Sequence, residues 1–146
     1  RFAQKKDLPE LVQLCKAHAD YEQCAYNIDG KQLMLEKHLF GPKPSLFCLV
    51  AEQNKQLIGY ATYMQQFSTW DASFYIYMDC LFLVTQARSQ GIGVQLMDAI
   101  EQAATEVGCT EIQWQTPNFN TRAIQFYKRI GASAKNKERF FLKTNR

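Results

Sequence analysis

The sequence predicts an α/β fold, a mixed and mostly antiparallel central sheet flanked by helices. Three observations predict it. Strand-like and helix-like runs follow each other in the order β-α-α-β-β-β-α-β-α-β. Three of the strand-like runs are consecutive and read as a meander. The 146 residues, 47% of them hydrophobic and 21% charged, form no repeat, low-complexity tract or linker, so one domain over 1–146 is expected to bury one core.

Residues 1–6 read as the end of a first strand. Asp7 is an expected N-cap, with Pro9 in the first turn and Glu10 placed as in a capping box. Leu8, Leu11, Val12, Cys15 and Ala19 then recur at helical spacing. Asp29-Gly30 punctuates, 31–39 reads as a second helix, and Gly41-Pro42-Lys43-Pro44 as a loop. The meander comprises 46–52, a turn at Asn54-Lys55, 56–66, and 74–84, with Gly59 marking a bulge or a close approach. Residues 94–107 form the clearest helix. Leu96, Met97, Ile100, Ala103, Ala104 and Val107 share one face, and Gly108 stops it. A strand over 109–115, a helix capped by Asn120 or Thr121 and ended by Gly131, and a last strand over 139–143 complete the order.

Composition excludes several classes. A net charge of +3, scattered along the chain, does not argue for nucleic acid. No apolar run is long enough to span a membrane, and no signal peptide is visible. Five cysteines without a Cys-x-x-Cys argue against a disulfide scaffold or a zinc site and for a reducing, cytoplasmic compartment. His18 and His38 each stand alone on helix-like segments, so neither a metal site nor a His-based triad is expected; both read as surface or boundary residues.

The most informative run is Gln86 to Val94, where Arg88, Gly91 and Gly93 form Arg-x-x-Gly-x-Gly between a strand and a helix. Small residues at a helix start expose backbone N–H groups, and the helix dipole favours negative charge, so a diphosphate is the natural guest. A dinucleotide loop wants a third glycine where Leu96 stands, and no Gly-Lys-Ser/Thr occurs for a P-loop. A plain turn at a helix start is the bland alternative.

Together with Cys48-Leu-Val-Ala-Glu52, the spacing Asn120-x-x-x-Ile124-x-Phe-Tyr127 and the run Phe126-Tyr-Lys-Arg-Ile-Gly-Ala132, this loop resembles the GNAT superfamily of acetyl-CoA-dependent N-acetyltransferases over nearly the whole chain. The nearest likeness is to the diamine (spermidine/spermine) branch. The resemblance implies that the coenzyme pyrophosphate rests on Arg88, Ser89, Gln90, Gly91, Ile92, Gly93 and Val94, mostly through backbone N–H groups. It implies that pantetheine pairs with the strand at Leu81, Phe82 and Leu83, that an N–H near Leu81 holds the oxyanion, and that Asn120, Ala123 and Phe126 contact the coenzyme. Asp79 maps to the general base, acting through water, and Tyr127 to the general acid that protonates the departing thiolate. No covalent intermediate is implied, so neither Cys80 nor Cys109 is required as a nucleophile.

Each assignment has a plainer counterpart. Tyr127 shares an apolar helical face with Ala123 and Ile130 and reads on periodicity as a core tyrosine. Asp79 could serve as a structural acceptor at a bulge, and Asn120 as an N-cap. For the acceptor, the resemblance places Tyr21, Glu22, Trp70 and Asp79 at a site for a small-molecule amine of diamine, polyamine or lysine-like type. Cys80 and Ser68 stand where that branch carries further acids, which weakens the case for a long polycation. The leading expectation is therefore a small-molecule amine N-acetyltransferase, with acetyl-CoA as cosubstrate, no metal, and no nucleic-acid or membrane partner. A homodimer is expected, with Phe140-Phe141 contributing. The alternatives are a protein or peptide N-acetyltransferase and a non-catalytic acetyl-CoA-binding module.

Overall fold

A computed structural model describes residues 1–145. The chain forms two compact units, one running from Arg1 to Gln115 and the other from Thr116 onward. The first holds a short 3₁₀ turn (Lys5–Asp7), α1 (Leu8–Tyr21), α2 (Lys31–Phe40), β1 (Phe47–Gln53), β2 (Gln56–Ser68), β3 (Ser73–Leu83), a second 3₁₀ turn (Thr85–Ala87), α3 (Ile92–Glu106) and β4 (Ile112–Gln113). The second unit holds α4 (Thr121–Arg129).

The sheet has the order β1-β2-β3-β4. The meander forms as expected, antiparallel throughout, while β4 joins β3 in parallel. The β1–β2 turn is two residues long. Asn54 and Lys55 both take positive φ (52° and 62°), as the tight hairpin turns that match strand twist demand. Gly59 proves to be both a close approach and a neighbour of a bulge. A Cβ there would lie 2.8 Å from the Phe82 carbonyl oxygen, and the β1–β2 register slips beside it, between Ala51 and Glu52.

Alternate strand residues serve opposite faces of the sheet. Cys48, Val50, Tyr60 and Phe82 cluster with Leu8, Leu11 and Leu14 of α1. Leu96, Met97, Ile100 and Ala104 are the buried stripe of α3, which packs on β1, β2 and β3. Leu11 and Ile100 are fully buried, and each such side chain contributes about 1.5–3 kcal/mol.

Several sequence expectations need correction. The first strand shrinks to a single bridge, Phe2 to Leu49. Asp7 stands at the N-cap position of α1, but its side chain makes no capping bond to that helix. Its carboxylate instead accepts from the Gln4 N–H (2.7 Å) and from the Arg1 guanidinium (2.8 and 3.0 Å), so it closes the turn before the helix. Glu10 reaches across to the Leu57 N–H (2.9 Å) rather than making a capping box for α1. Val107 is exposed, because α3 ends at Glu106. The strand expected over 109–115 has two paired residues, and 139–143 form no strand. Phe140, Phe141 and Leu142 are 90%, 82% and 78% exposed, so that apolar run neither alternates in burial nor joins a ladder.

Candidate active site

The Arg-x-x-Gly-x-Gly run folds into a shaped loop. Strand β3 ends at Leu83, the 3₁₀ turn buries Ala87, and Ser89 and Gly91 take φ of 62° and 79°. The first helical bond of α3 runs from the Gln95 N–H to the Gly91 carbonyl (3.2 Å). The amides of the first turn before Gln95 therefore have no acceptor within the helix. No acidic side chain occupies that turn to repel an anion. A Cβ on Gly91 would meet nothing within 4 Å, so the glycine is required by its backbone conformation and leaves open space above it. Arg88 does not simply project into solvent. Its Nε donates to the Leu83 carbonyl (3.1 Å), and its guanidinium lies 4.5 Å from the centre of the Tyr21 ring and 5.7 Å from that of Phe82. The Gln90 side-chain amide donates to the Gln86 carbonyl (2.8 Å) and braces the loop.

Strand β3 leads into this loop with an open edge. Its parallel pairing with β4 involves only Ile76 and Tyr77; from Met78 to Leu83 it has β2 on one side alone among the described residues. The Val84 N–H bonds to the Ile58 carbonyl on the β2 side (2.9 Å). Antiparallel alternation then turns Phe82 toward β2 and the N–H groups of Leu81 and Leu83 outward. These are donors suited to an extended ligand that adds to the strand. Phe82 differs from its neighbours: its side chain is buried in the α1 core and its backbone groups face β2, so it lies behind the edge that Leu81 and Leu83 present. The β2–β3 register skips one residue, since Thr62 pairs with Cys80 and Tyr63 with Met78. Asp79 is that extra residue, a bulge whose side chain is exposed.

On the α1 side of the edge lies a polar cluster. Asp79 Oδ2 accepts from the Cys80 thiol (3.7 Å). His18 Nδ1 lies 2.8 Å from the Tyr60 hydroxyl and Nε2 lies 3.2 Å from Glu22 Oε1, and the imidazole stacks on Phe82 at 5.1 Å. Burial pushes the Cys80 thiol up to about 12, with the Asp79 charge adding to the shift; burial likewise raises Cys48 and Tyr26 to about 12, lifts Cys15, and drives the Tyr60 phenol well above its ordinary range. These thiols stay protonated at neutral pH and are poor nucleophiles. The hydroxyl of Thr62, which pairs with Cys80, is buried beside the Cys80 thiol.

In the second unit, Asn120 caps α4. Its Oδ1 accepts from the Ala123 N–H (3.4 Å) and its Nδ2 donates to Thr116 Oγ1 (3.2 Å). Phe126 and Tyr127 are half-buried, with ring centroids 5.4 Å apart.

The first unit thus brings together Asp79, Glu22, Tyr21, the β3 edge and the glycine loop. Trp70 is not brought to them. It is 98% exposed at the tip of the β2–β3 hairpin, six residues along β3 from Asp79 when counted from Ser73, or roughly 20 Å. Sequence reasoning missed His18 and Tyr60. The four-residue spacing of His18 and Glu22 on one helix was the available signal for half of that contact. Among the described residues no group of three His, Cys, Asp or Glu side chains is arranged to hold a metal, and no helix is long and apolar enough to cross a membrane.

Known proteins resemble this chain in sequence and in fold. The family model described as the acetyltransferase (GNAT) family matches residues 11–132. The thialysine N-epsilon-acetyltransferase of Mus musculus is 26% identical over 140 residues, 90% of this chain and 82% of that protein. The spermidine/spermine N(1)-acetyltransferase-like protein 1 of Homo sapiens is 29% identical over 143 residues, 90% of this chain but 20% of that protein. An aminoglycoside acetyltransferase from an uncultured soil metagenomic sample, solved in complex with trehalose, shares the fold. Its TM-score is 0.80 at 23% identity, covering 100% of this chain and 95% of that one.

Proposed function

Because the chain belongs to the acetyltransferase (GNAT) family and is an acetyl-CoA-dependent N-acetyltransferase, we propose that it acetylates a primary amine of a small molecule, diamine-like, polyamine-like or lysine-like, by direct attack in a ternary complex. One observation carries the acceptor reading. Two carboxylates, Asp79 and Glu22, hang from a single cluster beside the open β3 edge, linked through Cys80, Tyr60 and His18. Two anions on one cluster, with the half-buried Tyr26 near Cys15 and Cys80 and the exposed Tyr21 one residue before Glu22, suit a compact cation with more than one polar end.

The cosubstrate is read mainly by backbone. The loop 88–94 takes the pyrophosphate through the amides that follow Arg88, whose own N–H bonds to the Thr85 carbonyl (3.3 Å), and the outward amides of Leu81 and Leu83 take the pantetheine arm, with the Leu81 N–H at the thioester carbonyl. Asn120, Ala123 and Phe126 contact the coenzyme from α4. The acceptor arrives as an ammonium, since alkyl amines titrate near pH 10. Asp79, through water, takes its proton. The amine nitrogen then bonds to the thioester carbon, the C–S bond breaks, and Tyr127 protonates the departing thiolate; the nitrogen gives its second proton to water as the amide forms, and the Tyr127 phenolate regains a proton from solvent. Tyr21 and Glu22 position the amine. Trp70 joins the acceptor site only across a homodimer, which we also propose.

The test is thiol release from acetyl-CoA over thialysine, lysine, spermidine, an aminoglycoside and a peptide library. Turnover on the first three at least tenfold above the peptides is expected. Turnover confined to peptides, or coenzyme binding with no amine turned over, refutes the reading.

A further inference from the structure

We propose that His18 is a positioning residue for the acceptor amine: together with Tyr60 it fixes the orientation of the Glu22 carboxylate. The inference rests on the reading that Glu22 meets the amine. It begins with Tyr60, 1% exposed at the centre of the sheet, whose hydroxyl needs a partner. That phenol stays protonated, because burial raises it far above neutral pH. Its neighbours Cys15 and Cys80 offer only weak sulfur acceptors, whereas His18 Nδ1, at 2.8 Å, is a strong one. Tyr60 therefore donates to Nδ1. The other imidazole nitrogen, Nε2, faces Glu22 Oε1 at 3.2 Å, and two acceptors cannot face each other at that distance. Nε2 therefore carries the proton and donates to the carboxylate. The bonds run in one direction, from the Tyr60 O–H to Nδ1 and from the Nε2–H to Oε1.

The imidazole is also held against rotation. It lies nearly parallel to Phe82, 16° between planes at 5.1 Å, with the Tyr60 ring edge-on at 5.9 Å. Phe82 stands between Leu81 and Leu83, whose amides face the open strand edge. One ring thus ties the acceptor carboxylate to the strand that receives the cosubstrate. An ionised carboxylate accepts about four hydrogen bonds, so one from His18 leaves most of its capacity for an ammonium. A glutamate held in place before binding forgoes the ordering cost that a free side chain meets when the ligand arrives.

Two measurements test this. Long-range 15N–1H spectra of the unmodified enzyme are expected to show His18 protonated on Nε2 with Nδ1 accepting; a proton on Nδ1 overturns the proposal. Steady-state kinetics with thialysine, lysine and spermidine then compare Glu22→Gln, His18→Phe and His18→Gln. Phenylalanine keeps the stack and loses both nitrogens, and glutamine keeps a donor toward Glu22. His18→Phe is expected to raise the amine KM about tenfold, with kcat and the acetyl-CoA KM within about twofold of the parent enzyme, and His18→Gln to restore most of the loss. If Glu22→Gln raises the amine KM and His18→Phe does not, the positioning role fails while the acceptor reading stands. If Glu22→Gln changes nothing, the acceptor reading fails first. A fall in kcat with both KM values raised in His18→Phe marks general damage to the fold and overturns the specific role.

Discussion

Replacing Gly91 with alanine separates the backbone requirement of the glycine loop from its proposed role as a phosphate seat. The backbone at Gly91 has φ of 79°, where an L-residue costs about 1–2 kcal/mol. An added Cβ touches nothing in the unliganded chain, so no steric cost accompanies it. Gly30 supplies a matched control. It also precedes a helix, α2, with φ of 73° and nothing within 4 Å of an added Cβ. Gly91→Ala and Gly30→Ala should each lower stability by about 1 kcal/mol, or roughly 2–4 °C in Tm for a chain of this size. They part company in coenzyme binding. The space above Gly91 is where a diphosphate is proposed to approach the first-turn amides, and displacing it by one methyl group would lose at least one charge-assisted bond worth about 1.5–3 kcal/mol. Calorimetric titration with coenzyme A should therefore show Kd raised at least about tenfold in Gly91→Ala and unchanged in Gly30→Ala. Two results refute the reasoning: a Gly91→Ala Kd close to that of the parent chain, or equal weakening in both variants, which would trace the effect to stability alone.

Three further outcomes are expected. Tyr127→Phe should lower kcat about 10²-fold or more, with coenzyme affinity retained, and unchanged turnover in a thiol-release assay removes Tyr127 as the acid. Asp7→Asn should lower Tm by several degrees at neutral pH, since the carboxylate takes two Arg1 bonds and one backbone bond while 5% exposed. The Arg1 guanidinium holds the Asp7 carboxyl below its ordinary value of 3.8, so this stabilisation is complete above that value and is lost as pH falls through the lower folded one. Melts of the two proteins should accordingly converge in acid, and a constant gap down to pH 2 contradicts the ion-pair account. Sedimentation at micromolar concentration should return twice the 16.9 kDa chain mass, and a monomer alone refutes the homodimer.

Local conformation was legible in the sequence, and long-range partnership was not. The meander, α3 and the glycine loop all follow from periodicity or from residues whose backbone preferences act where they stand. Asp7 and Glu10 are different. Their residue types suit a helix start, but their actual partners are Arg1 and the Leu57 N–H, the latter 47 residues away. No local rule weighs a cap against a distant donor. The same limit hid the Tyr60–His18 contact, which spans 42 residues. The last expected strand failed for a related reason. Residues 139–143 have strand-like composition, yet a strand requires a ladder partner, and composition says nothing of which edges are available.

Asp79 shows how one residue can satisfy two readings that the sequence sets against each other. An aspartate inside a long strand is unfavourable and asks for a cause. The bulge supplies one, because the extra residue stands outside the ladder and its side chain stays exposed. The bulge also reverses the faces. Ahead of it Met78 pairs with Tyr63, and after it Cys80 and Phe82 pair with Thr62 and Tyr60 on the α1 side. Without the extra residue, every side chain beyond it would exchange faces. Phe82 would leave His18, Cys80 would leave Tyr60, and the outward amides of Leu81 and Leu83 would turn toward β2. The structural acceptor and the proposed proton acceptor are therefore compatible. The bulge that admits a carboxylate into β3 also aims the strand edge and assembles the cluster beside which that carboxylate is proposed to act.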